Sequence, residues 1–233
     1  MRLELPGTRP LPAAGCGPAR RSALVRRLAG WLTLLLLCGP AVAAPAPPAA
    51  TTLLVLGDSL SAEYGLPRGA GWVALLAQRL SREAPQYSVV NASISGDTTS
   101  GGRARLDELL LRHRPAIVVI ELGANDGLRG LRIDAMRDNL QAMIERCRAV
   151  GARVLLVGMH LPPNYGPEFD ARFHAVYLDL ARRDRVALVP FLLEGFAEHL
   201  ENFQADHVHP LAQAEPRMLE NVWPALRPLL VRR

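Results

Sequence analysis

Five short apolar runs, at residues 53–56, 88–90, 117–122, 154–157 and 187–189, recur along the chain with amphipathic stretches between them. Their hydrophobicity is continuous rather than alternating, as strands require when both faces of their sheet are covered. Between the third and fourth runs, Ile133, Met136, Leu140, Met143, Ile144 and Cys147 recur at three- and four-residue spacing with Arg and Asp on the other side, the pattern of a helix packed on a sheet. Gly151 follows as its stop signal. Further helices are predicted near 72–82, 103–112 and 167–183. Beyond Pro210, the prolines at 216, 224 and 228 allow only a short or kinked helix. Such alternation predicts an α/β fold, a three-layer α/β/α sandwich with a central parallel sheet of about five strands and right-handed crossovers.

The amino-terminal 43 residues read as an export signal rather than as part of this fold. Arg20, Arg21, Arg26 and Arg27 form a basic region, and residues 28–38 are an apolar run too short to span a bilayer comfortably. Ala41, Val42 and Ala43 then supply the small-x-small pattern of a signal peptidase site. The competing reading is an uncleaved anchor. Residues 44–50, with three prolines, are expected to form an extended tether, leaving 51–233 as the folded domain. The predicted location is periplasmic, with secretion as the variant.

Removing the leader changes the charge balance. The whole chain carries a net +5, but the leader holds six of the 27 basic residues and one of the 22 acidic ones, so 21 of each remain. The excess charge therefore belongs to export and gives no support for nucleic-acid binding. Cys16 and Cys38 leave with the leader, and Cys147 is left without a disulfide partner. Stability must come from the core, and about 190 residues suffice for one domain burying roughly 70% of its unfolded surface.

In a sheet of this class, functional loops gather at the carboxyl ends of the strands. After the first run comes Gly57-Asp58-Ser59; after the second, Asn91 to Thr98 with Gly96 among them; after the third, Gly123-Ala124-Asn125-Asp126. Far downstream stands Asp206-His207-Val208-His209-Pro210. A serine hydroxyl attacks a carbonyl only when a base takes its proton, and a carboxylate can orient and stabilise the imidazole that does so. Asp206 and His209 are three residues apart, within reach of each other in a turn. Gly96 lets the backbone approach a developing oxyanion closely, and Asn125 could add a side-chain amide.

These four blocks, in this order, resemble the SGNH (GDSL) hydrolase family, and residues 51–210 look most like its periplasmic branch of acyl-CoA thioesterases, lysophospholipases and arylesterases. The resemblance implies a flavodoxin-like sandwich with Ser59 as nucleophile, His209 as base and Asp206 as its orienting acid. It also implies an oxyanion hole made by the Ser59 and Gly96 amides and the Asn125 side chain, with no cofactor and no metal. Departures from the family pattern are Ala124, His207 and Leu211, which bear on the rim and substrate preference rather than on the reaction.

The remaining motifs are weaker. His113, His174 and His199 fall in helical patterns; His160 follows the fourth strand and could reach the pocket rim. Asp58, Asp97 and Asp126 read as caps of turns or helices. Residues 96–102 lack the Lys-Ser/Thr ending of a phosphate loop, and no Gly-x-Ser-x-Gly elbow is present. Leu161 and Pro162, with Leu128 and Leu131 opposite, are expected to wall an acyl-chain groove. The resulting expectation is an exported serine hydrolase of acyl esters and thioesters, acting as a monomer on a small acyl ester or lysophospholipid, with transient contact to membrane lipid. A carbohydrate O-deacetylase of the same family and a non-catalytic exported binding module for a small anion are the alternatives.

Overall fold

A computed structural model describes residues 50–231; the predicted leader, and all of the tether except Ala50, lie outside them. Five strands form one parallel sheet: β1 (Thr51–Gly57), β2 (Tyr87–Asn91), β3 (Ile117–Glu121), β4 (Arg153–Val157) and β5 (Ala187–Val189), in the order β2-β1-β3-β4-β5. That order is the flavodoxin-like one, in which the chain reverses direction across the sheet between β1 and β3 and opens a crevice there. Leu53 to Leu56 and Ile117 to Ile120 are fully buried, because helices cover both faces.

Helices α1 (Trp72–Glu83) and α6 (Glu215–Leu226) pack together on one side. On the other lie α2 (Thr99–His113), α4 (Ile133–Ala149) and α5 (Pro167–Asp184), with the short α3 (Ala124–Leu128) at the sheet's edge. The predicted elements are all present, with two differences. Helix α2 begins four residues earlier than its apolar pattern, because Thr98 caps it through Gly101 N–H at 3.3 Å and Gly102 lies where a Cβ would come within 2.2 Å of Leu122. The carboxyl-terminal helix runs twelve residues despite its prolines: Pro216 occupies the first turn, where no N–H is needed, Pro224 falls inside the last turn, and Pro228 is the second residue of a separate 3₁₀ turn. Among the described residues, no helix is long and apolar enough to cross a membrane.

Candidate active site

Strand β1 delivers the chain directly to Ser59. Gly57 closes the strand in register with Glu121, and a Cβ there would lie 2.7 Å from the Glu121 carboxyl and 2.8 Å from Ser61, so only glycine fits. The loop after β2 is zipped onto the same edge: Ala92 N–H donates to Val55 O at 2.8 Å and Ile94 N–H to Gly57 O at 3.0 Å. This brings Gly96 beside the serine turn, at a φ of 77° that suits glycine. Arg129 donates to Gly96 O at 2.7 Å, and Arg105 ties the loop down through Asp97 at 2.8 Å.

The acid and base come from a loop that folds back on itself. Phe203 and Pro210 form an antiparallel bridge, Gln204 N–H donates to His209 O, and His207 turns the chain with a φ of 57°. Inside that loop His209 Nδ1 lies 2.7 Å from Asp206 Oδ2, and His209 Nε2 lies 2.9 Å from Ser59 Oγ. Asp206 Oδ1 accepts the His209 and Val208 amides, both at 3.0 Å. Its slight burial pushes the carboxyl up, but those two amides and the imidazole outweigh it and hold the pKa down at about 2. Tyr64 covers the outer face of His209, with ring centroids 4.3 Å apart.

Three donors stand at the same edge. The Ser59 and Gly96 amides make no hydrogen bond among the described residues. Asn125, in α3, gives one of its two amide hydrogens to Asp58 Oδ2 at 3.0 Å, which orients the side chain and leaves the second hydrogen free. The arrangement suits a tetrahedral oxyanion next to a serine whose proton has a path to an imidazole.

Two buried carboxyls behind this edge were not singled out by sequence reasoning. Asp58, expected as a turn cap, does accept Leu60 N–H at 3.1 Å, but it is 1% exposed and also holds Asn125. Burial pushes it up to about 7, against the Leu60 and Asn125 hydrogen bonds and with the help of the Asp97 and Asp126 charges. Glu121, fully buried, is raised well above the usual range by burial and by Asp58. Its Oε2 accepts Ser61 O–H at 2.7 Å and Asp58 N–H at 3.3 Å, while Oε1 has no partner, an arrangement a neutral acid tolerates far better than a carboxylate. The signal was an acid closing an otherwise apolar strand. Asp126 accepts Thr99 N–H and O–H at the start of α2, as a cap should.

A cleft of about 1070 Å³ opens at Ser59 and His209, and its wall includes Leu128, Leu161, Pro162 and Phe191. Leu131 is not with them. The chain turns at Gly130, with φ 62°, and Leu131 borders a separate shallow depression beside Phe169. Ala124 opens α3 with no positive φ, which falls on Gly123 instead, so the extra methyl causes no backbone strain. Among the described residues, no group of three or more His, Cys, Asp or Glu side chains could hold a metal ion.

The fold and these four strand-end loops define a class, and comparison with known proteins agrees. The chain matches the GDSL-like lipase/acylhydrolase family over residues 55–215 and belongs to that family. It is 54% identical to esterase TesA of Pseudomonas aeruginosa over 203 residues, covering 87% of this chain and 98% of that protein. It is 42% identical to thioesterase 1/protease 1/lysophospholipase L1 of Escherichia coli, covering 78% of this chain and 86% of that one. Among solved structures, the esterase EstA from Pseudoalteromonas sp., in a form inhibited by monoethylphosphonate, superposes with a TM-score of 0.73 at 37% identity, covering 77% of this chain and 98% of that chain.

Proposed function

We propose that this protein hydrolyses acyl esters and thioesters by forming and then cleaving an acyl-Ser59 ester. Ser59 Oγ attacks the acyl carbonyl carbon while His209 Nε2 takes its proton; Asp206 keeps the imidazole in the required tautomer and balances its charge. The Ser59 and Gly96 amides and the Asn125 amide receive the oxyanion. As the intermediate collapses, His209 returns the proton to the leaving alcohol or thiol. Water then repeats the sequence on the acyl-enzyme and frees Ser59.

The observation that carries this reading is the continuous chain from Ser59 Oγ through His209 to Asp206, at 2.9 and 2.7 Å. A module that only bound an anion would have no use for it. The apolar wall of Leu128, Leu161 and Pro162 favours an acyl chain over a sugar, at about 0.8 kcal/mol for each methylene buried. The leader at 1–43 and the tether at 44–50 support export of the 51–233 domain to the periplasm, where lysophospholipid at a membrane surface is the accessible acyl donor. The test is a phosphonate probe against the exported protein. It should label Ser59 covalently and block hydrolysis of a p-nitrophenyl acyl ester in equal proportion; hydrolysis that survives full labelling refutes the assignment.

A further inference from the structure

Three imidazoles besides His209 border the cleft: His160, His199 and His207. His199 and His207 are exposed. His160 is fixed from three sides. Its Nδ1 lies 2.8 Å from Asp170 Oδ2, and the other Asp170 oxygen accepts Leu161 N–H at 2.7 Å. His174 stacks on its ring at 3.8 Å, and the edge of Phe191 meets it at 4.9 Å. His174 is itself anchored on Met159 O at 3.1 Å. Burial holds His174 below the usual histidine range, against the Met159 hydrogen bond and alongside His160, so it remains neutral beside its neighbour. The Asp170 carboxylate selects the tautomer of the neutral ring with its proton on Nδ1, which makes Nε2 the acceptor. That Nε2 has no hydrogen-bond partner among the described residues.

The register of the sheet places this group relative to Ser59. Gly57 pairs with Glu121, and Ile120 pairs with Leu156, so β1, β3 and β4 end level. Ser59 is two residues past the end of β1, and His160 three past the end of β4. Two strand spacings separate the strand ends that carry them, about 10 Å at the ~4.8 Å between neighbouring strands, and Leu128 and Leu161 line the same cleft. A medium-length acyl chain spans that distance. A plain chain laid over His160 would strip water from Nε2 and offer nothing in return. A chain carrying a hydroxyl would donate to it.

We propose that His160 is a specificity-determining residue whose Nε2 accepts a hydroxyl borne on the acyl chain, making hydroxyacyl esters preferred substrates. The proposal rests on the reading of Leu128, Leu161 and Pro162 as the acyl groove. A hydroxyl is favoured over an anionic group because the Asp170 carboxylate stands directly behind the ring, 2.8 Å from Nδ1, and opposes a second negative charge there. Asp170 acts as a positioning residue, through the tautomer.

The test is a series of p-nitrophenyl octanoates with a hydroxyl moved along the chain, each beside its methyl ether, read as kcat/KM. One mid-chain position should exceed plain octanoate about five- to tenfold, the worth of one hydrogen bond, and its methyl ether should lose the gain. His160→Leu should erase the preference; His160→Gln should keep part of it. Melting and Ser59 labelling report folding, and His160→Phe, which retains the stack, serves if the leucine variant does not fold. An unchanged hydroxyl-to-plain ratio in His160→Leu overturns the proposal. If, in that case, Leu161→Ala still alters the plain chain-length profile, the acyl groove stands without His160. If Leu161→Ala also changes nothing, the groove reading itself falls and takes the His160 assignment with it. Since the leaving group is constant in this series, a second arm compares octanoyl glycerol with propyl octanoate. Sensitivity to His160→Leu in that arm alone would place the hydroxyl on the alcohol and overturn the acyl-side assignment.

Discussion

His209 lies 2.7 Å from Asp206 and His160 lies 2.8 Å from Asp170, so two imidazole–carboxylate pairs of the same geometry border one cleft. In both, the second carboxylate oxygen is anchored on backbone: on the His209 and Val208 amides in one case, on Leu161 N–H in the other. They differ at Nε2. His209 Nε2 meets Ser59 Oγ at 2.9 Å, beside amides with no other partner among the described residues; His160 Nε2 makes no hydrogen bond among them. A histidine–aspartate pair is therefore not by itself a catalytic base. Its chemistry is set by what stands at its free nitrogen, and in this molecule one pair faces a serine hydroxyl while the other borders the open cleft.

The largest effect that could break the comparison comes from Ser59. Ser59→Ala should lower ester hydrolysis more than about 10⁴-fold with melting unchanged. Residual turnover that survives this change but disappears with His160→Leu would mean that the second pair also catalyses. Next, the two acids can be set against each other. Asp206→Asn should cost roughly 10³-fold in kcat by disturbing the tautomer of His209, whereas Asp170→Asn should change turnover of plain esters by less than about tenfold. Equal losses in steady-state assays would erase the distinction. Asn125→Ala should then cost about 10²-fold, mainly in kcat rather than KM, since its amide serves an oxyanion absent from the ground state.

The Asp206–His209 pair was legible because its members are three residues apart and sit in a motif; the second pair was not. Asp170 stands in the first turn of α5, ten residues after His160, and no motif or spacing in the sequence links the two. The strands could be read because burial on both faces leaves continuous apolar runs. Helix α3 has five residues, too few to show a period, though it carries Asn125. Gly101 and Gly102 looked like loop and are the first turn of α2, placed there by close packing of Gly101 on Asp97 and of Gly102 on Leu122 that leaves no local trace. Leu131 fell on the wrong side of a turn for the same reason: spacing along the chain does not reveal the direction taken after Gly130.

A modest predicted effect on rate concerns the carboxyls behind the site, and here stability sharpens the contrast. Asp58→Asn retains one acceptor where Asp58 has two, so Leu60 or Asn125 loses its partner and kcat should fall about tenfold. Its effect on pH dependence has a definite sign. Asp58 is raised to about 7 when folded, so between about pH 4 and pH 7 the folded state holds a proton that the unfolded state releases, and stability should decline as pH rises through that window. Asp206, held down at about 2, works the other way: what it contributes is present above about pH 4 and is lost as pH falls toward 2. Denaturant unfolding of Asp58→Asn from pH 4 to 8 should therefore give a flatter stability profile than the parent, while Asp206→Asn should keep the parent's slope there at a lower level and converge on the parent as pH falls toward 2. Glu121 is also raised, so Glu121→Gln should remove the part of the decline that remains in Asp58→Asn. A parent profile that rises between pH 4 and 7 would mean that the buried pair is ionised.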